Sequence, residues 1–142
     1  MTLGESRCHI NFNPSSDDKI GTFKRMMADA IDYLNKMVTN DLTKIAAGQA
    51  QYTLLCNEDG GVVDDLIAYR NSDTDFFLVP NASNTTDVVK VLQEAATTEI
   101  AITNLHSDYA VLAIQGPLAP AVLAKLGVVT DIDYMAFTHV SI

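Results

Sequence analysis

Asn57-Glu58-Asp59-Gly60-Gly61-Val62-Val63-Asp64-Asp65-Leu66-Ile67-Ala68-Tyr69 is a tight turn feeding a β-strand. The Asp59-Gly60-Gly61 step tolerates positive φ and so favours a hairpin. Side chains alternate along a strand, so Asp64 and Asp65 point to opposite faces. Val62, Leu66 and Ala68 lie with Asp64, whereas Val63, Ile67 and Tyr69 lie with Asp65. Both faces are otherwise apolar. A carboxylate in such a surface is costly unless it is paired, hydrogen-bonded or engaged with a ligand. At least one of the two aspartates is therefore expected to have a specific partner.

On the near side of the turn, Gln51 to Cys56 is the strand that pairs back. Asn71-Ser72-Asp73 makes a second turn and Phe76 to Pro80 a third strand, which together give an antiparallel meander. Upstream, Met27, Ala30, Ile31, Leu34, Met37 and Val38 recur at helical spacing and predict an amphipathic helix over 26–38, ended by Asn40-Asp41. Leu42, Ile45 and Ala46 suit a further helical turn before Gly48. Downstream, Val88, Val91, Leu92 and Ala95 predict a helix at about 84–96, with Thr85 or Thr86 as its cap. A strand at 99–103, a turn at Ser107-Asp108 and a strand at 109–115 follow. Pro117 opens a helix at 118–126. A last strand is expected from Tyr134 to Ile142, and a short one from Lys19 to Lys24. Residues 1–18 are polar and form a loose N-terminal segment ahead of a domain at 19–142. The fold class expected is α+β: an antiparallel sheet with helices on one face, with a ferredoxin-like arrangement the most economical topology.

The bulk properties limit the activities. At 142 residues, 48% apolar and 19% charged, the chain suits a single folded domain with a real core. Its net charge of −9 and pI near 4.5 offer no basic surface. Nucleic-acid binding and docking on anionic membranes are thereby disfavoured. No apolar run approaches the ~20 residues that span a bilayer. Cys8 and Cys56 stand far apart, which suits two reduced thiols rather than a disulfide or zinc site, and a cytoplasmic setting. Met1 to Phe12 lack a signal-peptide layout, and the glycosylation-type triplets at Asn81 and Asn84 are chance matches in that setting. His9, His106 and His139 are isolated, so no metal is expected.

Asp65 is the sharpest candidate for chemistry. Its face-mates Ile67 and Tyr69 suit the grip of a flat ring, and Tyr52, Val79 and Asn81 on the flanking strands could complete that wall. A carboxylate there could accept ring N–H groups or manage a proton. The alternative is an edge-strand aspartate that meets only backbone donors or water. Asp64 suits a structural role, paired with a turn amide or with an arginine such as Arg70. Asn81 either caps the loop after Pro80 or presents its amide to a ligand.

Taken together, these segments resemble the T-protein family, the aminomethyltransferases of the glycine cleavage system. The matching stretches are Asp29-Ala30 with Tyr33-Leu34-Asn35, Asn40-Asp41-Leu42, Gly48-Gln49-Ala50-Gln51-Tyr52-Thr53, the run from Asn57 to Ile67, Leu78-Val79-Pro80-Asn81-Ala82, and Ala113-Ile114-Gln115-Gly116-Pro117. The resemblance implies transfer of a one-carbon unit from the aminomethyl-lipoyl arm of H-protein to tetrahydrofolate, with release of ammonia and no metal. It implies that Asp65 is the key acidic residue, contacting folate and positioning or deprotonating the attacking nitrogen. Folate contacts carry over to Tyr52, Ile67, Tyr69, Val79 and Asn81. The chain departs from the pattern at Ser16-Asp17-Asp18-Lys19-Ile20, where the family has Asp-Leu-Ser-His-Met, and at Arg25-Met26-Met27, where it has Val-x-Gly. The family's later glutamate, arginines and aromatics fall beyond Ile142, so the resemblance covers one wall of a folate pocket. Two other functions fit the same residues: a folate-dependent demethylase-type relative, and a non-enzymatic α+β module that self-associates through uncovered apolar surface.

Overall fold

The computed structural model describes residues 8–12 by their backbone and residues 30–97, 99–128 and 131–140 in full. The expected strand at 19–24 and the first residues of the 26–38 helix lie outside the described residues. Among the described residues five strands form one antiparallel sheet: β1 (Cys8–Phe12), β2 (Gln49–Cys56), β3 (Val62–Arg70), β4 (Asp75–Val79) and β5 (Ile100–Asn104). Their order across the sheet is β2-β3-β4-β1-β5. Helix α1 is described over 30–37, α2 spans Thr85–Ala95, and α3 spans Ala119–Lys125. With β2 set aside, β1, α1, β3, β4, α2 and β5 run in the β-α-β-β-α-β order of a ferredoxin-like unit, to which β2 adds an edge strand.

The meander is the part built from local pairing. Tyr52 lies opposite Ile67, Ile67 opposite Val79, and Tyr69 opposite Phe77. The hairpin tip is closed by Asn57, whose side-chain oxygen accepts the Gly61 N–H at 2.7 Å while its own N–H donates to the Gly61 carbonyl at 2.8 Å. Gly60 stands at φ 81, a conformation that costs an L side chain about 1–2 kcal/mol. The register shifts by one residue between Leu55 and Cys56. That irregularity takes Val62 off the face it was expected to share with Asp64: Val62 is 60% exposed, whereas Asp64 itself is buried.

The core lies on the Asp64 face. Leu55, Leu66, Ala68, Phe76 and Leu78 of the sheet meet Leu34 and Val38, together with Val88 and Leu92 of α2. The helical spacing of Ala30, Tyr33, Leu34 and Met37 aims one stripe of α1 inward. The buried Tyr33 hydroxyl donates to the Leu92 carbonyl at 2.6 Å and ties α1 to α2. α3 contributes no buried residue.

Three expectations change. Residues 8–12, within the segment expected to be loose, form β1 between β4 and β5; this strand pairs only with residues 75–78 and 100–104, far away in sequence. Residues 109–115 form no strand, and Leu112 among them is 81% exposed. The expected strand from Tyr134 reduces, among the described residues, to one bridge between Gln49 and Ala136. Met135 and Phe137 nonetheless follow the β2 edge: the Met135 carbonyl accepts the Ala50 N–H at 2.7 Å, and the Phe137 N–H donates to the Gly48 carbonyl at 2.9 Å.

Candidate functional site

Parity along β3 separates the two aspartates as expected, and one asparagine joins them again. Asp64 is 2% exposed. Its Oδ2 accepts the Asn81 backbone N–H at 2.8 Å, and its Oδ1 accepts the side-chain amides of Asn81 at 3.0 Å and Asn84 at 2.7 Å. Every donor is an amide of the 81–84 turn, which leads into α2. Arg70 takes no part: it donates to the Ile45 carbonyl and pairs with Asp73 at 2.6 Å. The turn-amide alternative for Asp64 therefore holds and the arginine alternative does not. Asn84 precedes α2 but makes no side-chain cap bond: its amide nitrogen donates to Asp64 and its Oδ1 accepts the Ser83 hydroxyl at 3.1 Å.

Asp65 opens to the other side. Its Oδ2 accepts the Tyr52 hydroxyl, and its Oδ1 accepts the Asn81 side-chain amide at 3.0 Å. The same amide nitrogen lies 3.1 Å from the Asp65 carbonyl oxygen. Asn81 thus points one NH2 group, with two hydrogens, at three acceptors shared between the aspartates. Neither Tyr52 nor Asn81 fills the acceptor capacity of a carboxylate, which has about four lone-pair sites. Asp65 is exposed and keeps room for a further N–H donor.

Further along the same face the wall turns apolar and aromatic. A cavity of about 440 Å³ is lined by Ile67, Tyr69 and Val79, joined by Phe77, Phe137 and His139 among others. Tyr69 meets Phe77 edge-on at 6.4 Å and Phe137 at 5.3 Å, and Phe77 meets Tyr109 at 5.9 Å. Five of the six residues expected at the site therefore share one side of the sheet, Tyr52 and Asp65 in the polar cluster and Ile67, Tyr69 and Val79 in the cavity wall, while Asn81, past the end of β4, reaches both aspartates.

Other wall residues were not anticipated. Phe77 shares the parity of Val79, two positions along β4, and that signal could have found it. Phe137, His139, Tyr109 and Val111 come from irregular segments that were expected as separate strands and gave no sign of reaching this wall; His139, read only as an isolated histidine, packs edge-on against Phe137 at 5.9 Å. Among the described residues no group of three or more His, Cys, Asp or Glu side chains is placed to hold a metal ion. Cys56 is a half-buried free thiol, and the Cys8 side chain lies outside the described residues.

Residues 19–142 match the family described as the GCVT N-terminal domain. Among curated proteins, the chain is 55% identical over 112 residues to an aminomethyltransferase of Mycobacterium avium (strain 104), covering 79% of this chain and 30% of that protein. It is 51% identical over 112 residues to an aminomethyltransferase of Frankia alni, covering 79% and 31%. Among solved structures, the crystal structure of glycine cleavage system aminomethyltransferase T from Bartonella henselae matches with a TM-score of 0.73 at 24% identity, covering 95% of this chain and 33% of that one. At that identity the likeness speaks for the fold. The chain spans about three-tenths of the length of these curated relatives.

Proposed function

The chain belongs to the GCVT N-terminal domain family, and from that membership we propose that it forms one wall of the folate site of a glycine-cleavage aminomethyltransferase. In the proposed reaction the methylene carbon passes from the aminomethyl-lipoyl arm of H-protein to tetrahydrofolate. Ammonia leaves, and 5,10-methylenetetrahydrofolate and the dihydrolipoyl carrier result. The observation that supports this most is the placement of Asp65: a carboxylate held by Tyr52 and Asn81 beside an aromatic cavity of about 440 Å³. A pteridine ring needs both parts, an apolar wall for its faces and an acceptor for its edge N–H groups.

Each residue then has a role. Asp65 accepts a ring N–H and orients or deprotonates the nitrogen that attacks the methylene carbon. Tyr52 and Asn81 fix the carboxylate. Ile67, Tyr69 and Val79 bound the ring and keep water from its face. The protein's cytoplasmic location is part of the same proposal; among the described residues no helix is long and apolar enough to cross a membrane. Anaerobic calorimetry with tetrahydrofolate tests it. Saturable heat with the native chain, strongly reduced by Asp65→Asn, supports the assignment. No uptake by a demonstrably folded native chain removes it.

A second reading draws on a different observation. Leu112 is 81% exposed, Leu118 73%, Leu126 50% and Tyr134 93%. Apolar surface of this kind favours association. A self-associating module would form oligomers that persist in Asp65→Ala and would take up no folate.

A further inference from the structure

We infer that the buried aspartate, Asp64, is a positioning residue that sets the orientation of Asp65 through the side-chain amide of Asn81. The inference rests on the folate reading of the Asp65 face and adds a residue to it. Asp64 and Asp65 are neighbours in sequence but cannot touch across the sheet, because their side chains leave β3 on opposite sides. Asn81 closes the gap from the end of β4. Its amide nitrogen is 3.0 Å from Asp64 Oδ1 and 3.0 Å from Asp65 Oδ1.

What holds Asn81 is Asp64. The buried carboxylate takes both the backbone and the side-chain N–H of Asn81, so the asparagine is fixed at two points by one group. Asn84 donates to the same carboxylate at 2.7 Å, and the Thr85 hydroxyl donates to the Asn81 carbonyl at 3.2 Å. The start of α2 is thereby clamped to β3 through Asp64. On the open side, Asn81 and Tyr52 hold one Asp65 oxygen each. Tyr52 is 52% exposed and supplies a hydroxyl on a ring open to solvent. Asn81 is exposed as well, but it is bonded at two points to the buried Asp64, which makes it the better anchored of the two holds. A carboxylate that must meet a ring N–H within hydrogen-bond reach depends on such a hold.

A purely structural role would also give Asp64 these bonds, so the test separates the two by coupling. Tetrahydrofolate binding is measured by anaerobic calorimetry on the native chain, Asp64→Asn, Asp65→Asn and the double variant. Asp64→Asn puts an amide against the Asn81 amide and is expected to weaken binding roughly tenfold. In the Asp65→Asn background the same change is expected to cost nothing further. An equal loss in both backgrounds, or no loss in either, overturns the inference.

If the folded native chain takes up no tetrahydrofolate, the folate reading fails, and positioning is decided without ligand. The carboxyl carbon-13 signal of Asp65 and the side-chain amide signals of Asn81 are then expected to move together in Asp64→Asn. An unmoved Asp65 signal overturns the inference. Should Asp64→Asn not fold, Asn81→Ser serves instead, since it keeps the backbone donor to Asp64 and removes the amide link. The Asp65 carboxyl signal must then shift, and its constancy is the overturning result.

Discussion

Ala50 stands directly opposite Tyr69 in the β2–β3 ladder, and its N–H donates at 2.7 Å to the carbonyl of Met135, two residues before the Phe137 ring that meets Tyr69 edge-on at 5.3 Å. The segment that supplies Phe137 to the cavity wall is thus tied to the edge strand at a small residue. Ala50 is 6% exposed, so the space around it is already filled. Ala50→Leu is expected to overpack it, cost about 1–3 kcal/mol in urea denaturation and expel Phe137. An unchanged Phe137 ring environment by NMR in a stable Ala50→Leu chain would contradict that expectation.

The hairpin tip separates two kinds of glycine requirement. Gly60→Ala meets no neighbouring atom within 4 Å but must hold φ 81, with an expected cost of about 1–2 kcal/mol. Gly61→Ala instead places its methyl 3.1 Å from the Asn57 amide, which must shift and loosen its bond to the Gly61 N–H, at about 1 kcal/mol. Thermal denaturation of both checks the pair, and Asn57→Ala is expected to make Gly61→Ala nearly neutral.

Asp41 carries a pH dependence. The Thr43 hydroxyl and backbone N–H both donate to its carboxylate and hold its pKa below the ordinary range. A carboxyl depressed in the folded state adds stability that is present above its unfolded pKa. That stability is lost as pH falls through the folded value, because the unfolded chain binds the proton first. Thr43→Val is expected to raise the Asp41 pKa towards its ordinary value and to flatten stability against pH in that acidic window alone. An NMR titration that leaves Asp41 unmoved in Thr43→Val contradicts the assignment.

Exposed leucines on both sides of Pro117 predict concentration-dependent association. Leu112→Lys with Leu118→Lys is expected to shift the chain towards monomer in light scattering, with the circular dichroism spectrum unchanged. A native chain that is monomeric at all concentrations tested would remove the second functional reading.

What the sequence made legible follows from how local the signals are. The meander and α2 emerged because alternation and 3.6-residue spacing act within a dozen residues. The face shared by Asp65, Ile67 and Tyr69 followed from parity alone. β1 was missed although Cys8, Ile10 and Phe12 alternate with His9 and Asn11; five residues give a weak signal, and both partners of the strand come from more than sixty positions away. Phe137 and His139 were illegible for another reason. They reach the cavity through a single bridge to Gln49, and nothing in their own neighbourhood announces it.

The irregular pairing at Leu55 and Cys56 has a practical side. It places one unmatched position between the hairpin tip and the aspartates, so small changes in loop length have somewhere to be absorbed before they reach Asp64. Past that point there is no such slack. A single residue lost between Asp65 and Tyr69 would turn the rest of the strand over and send the tyrosine ring to the helix side. Positions 58–60 are therefore where a linker, label or affinity handle can be grafted, and the strand that follows is where none can.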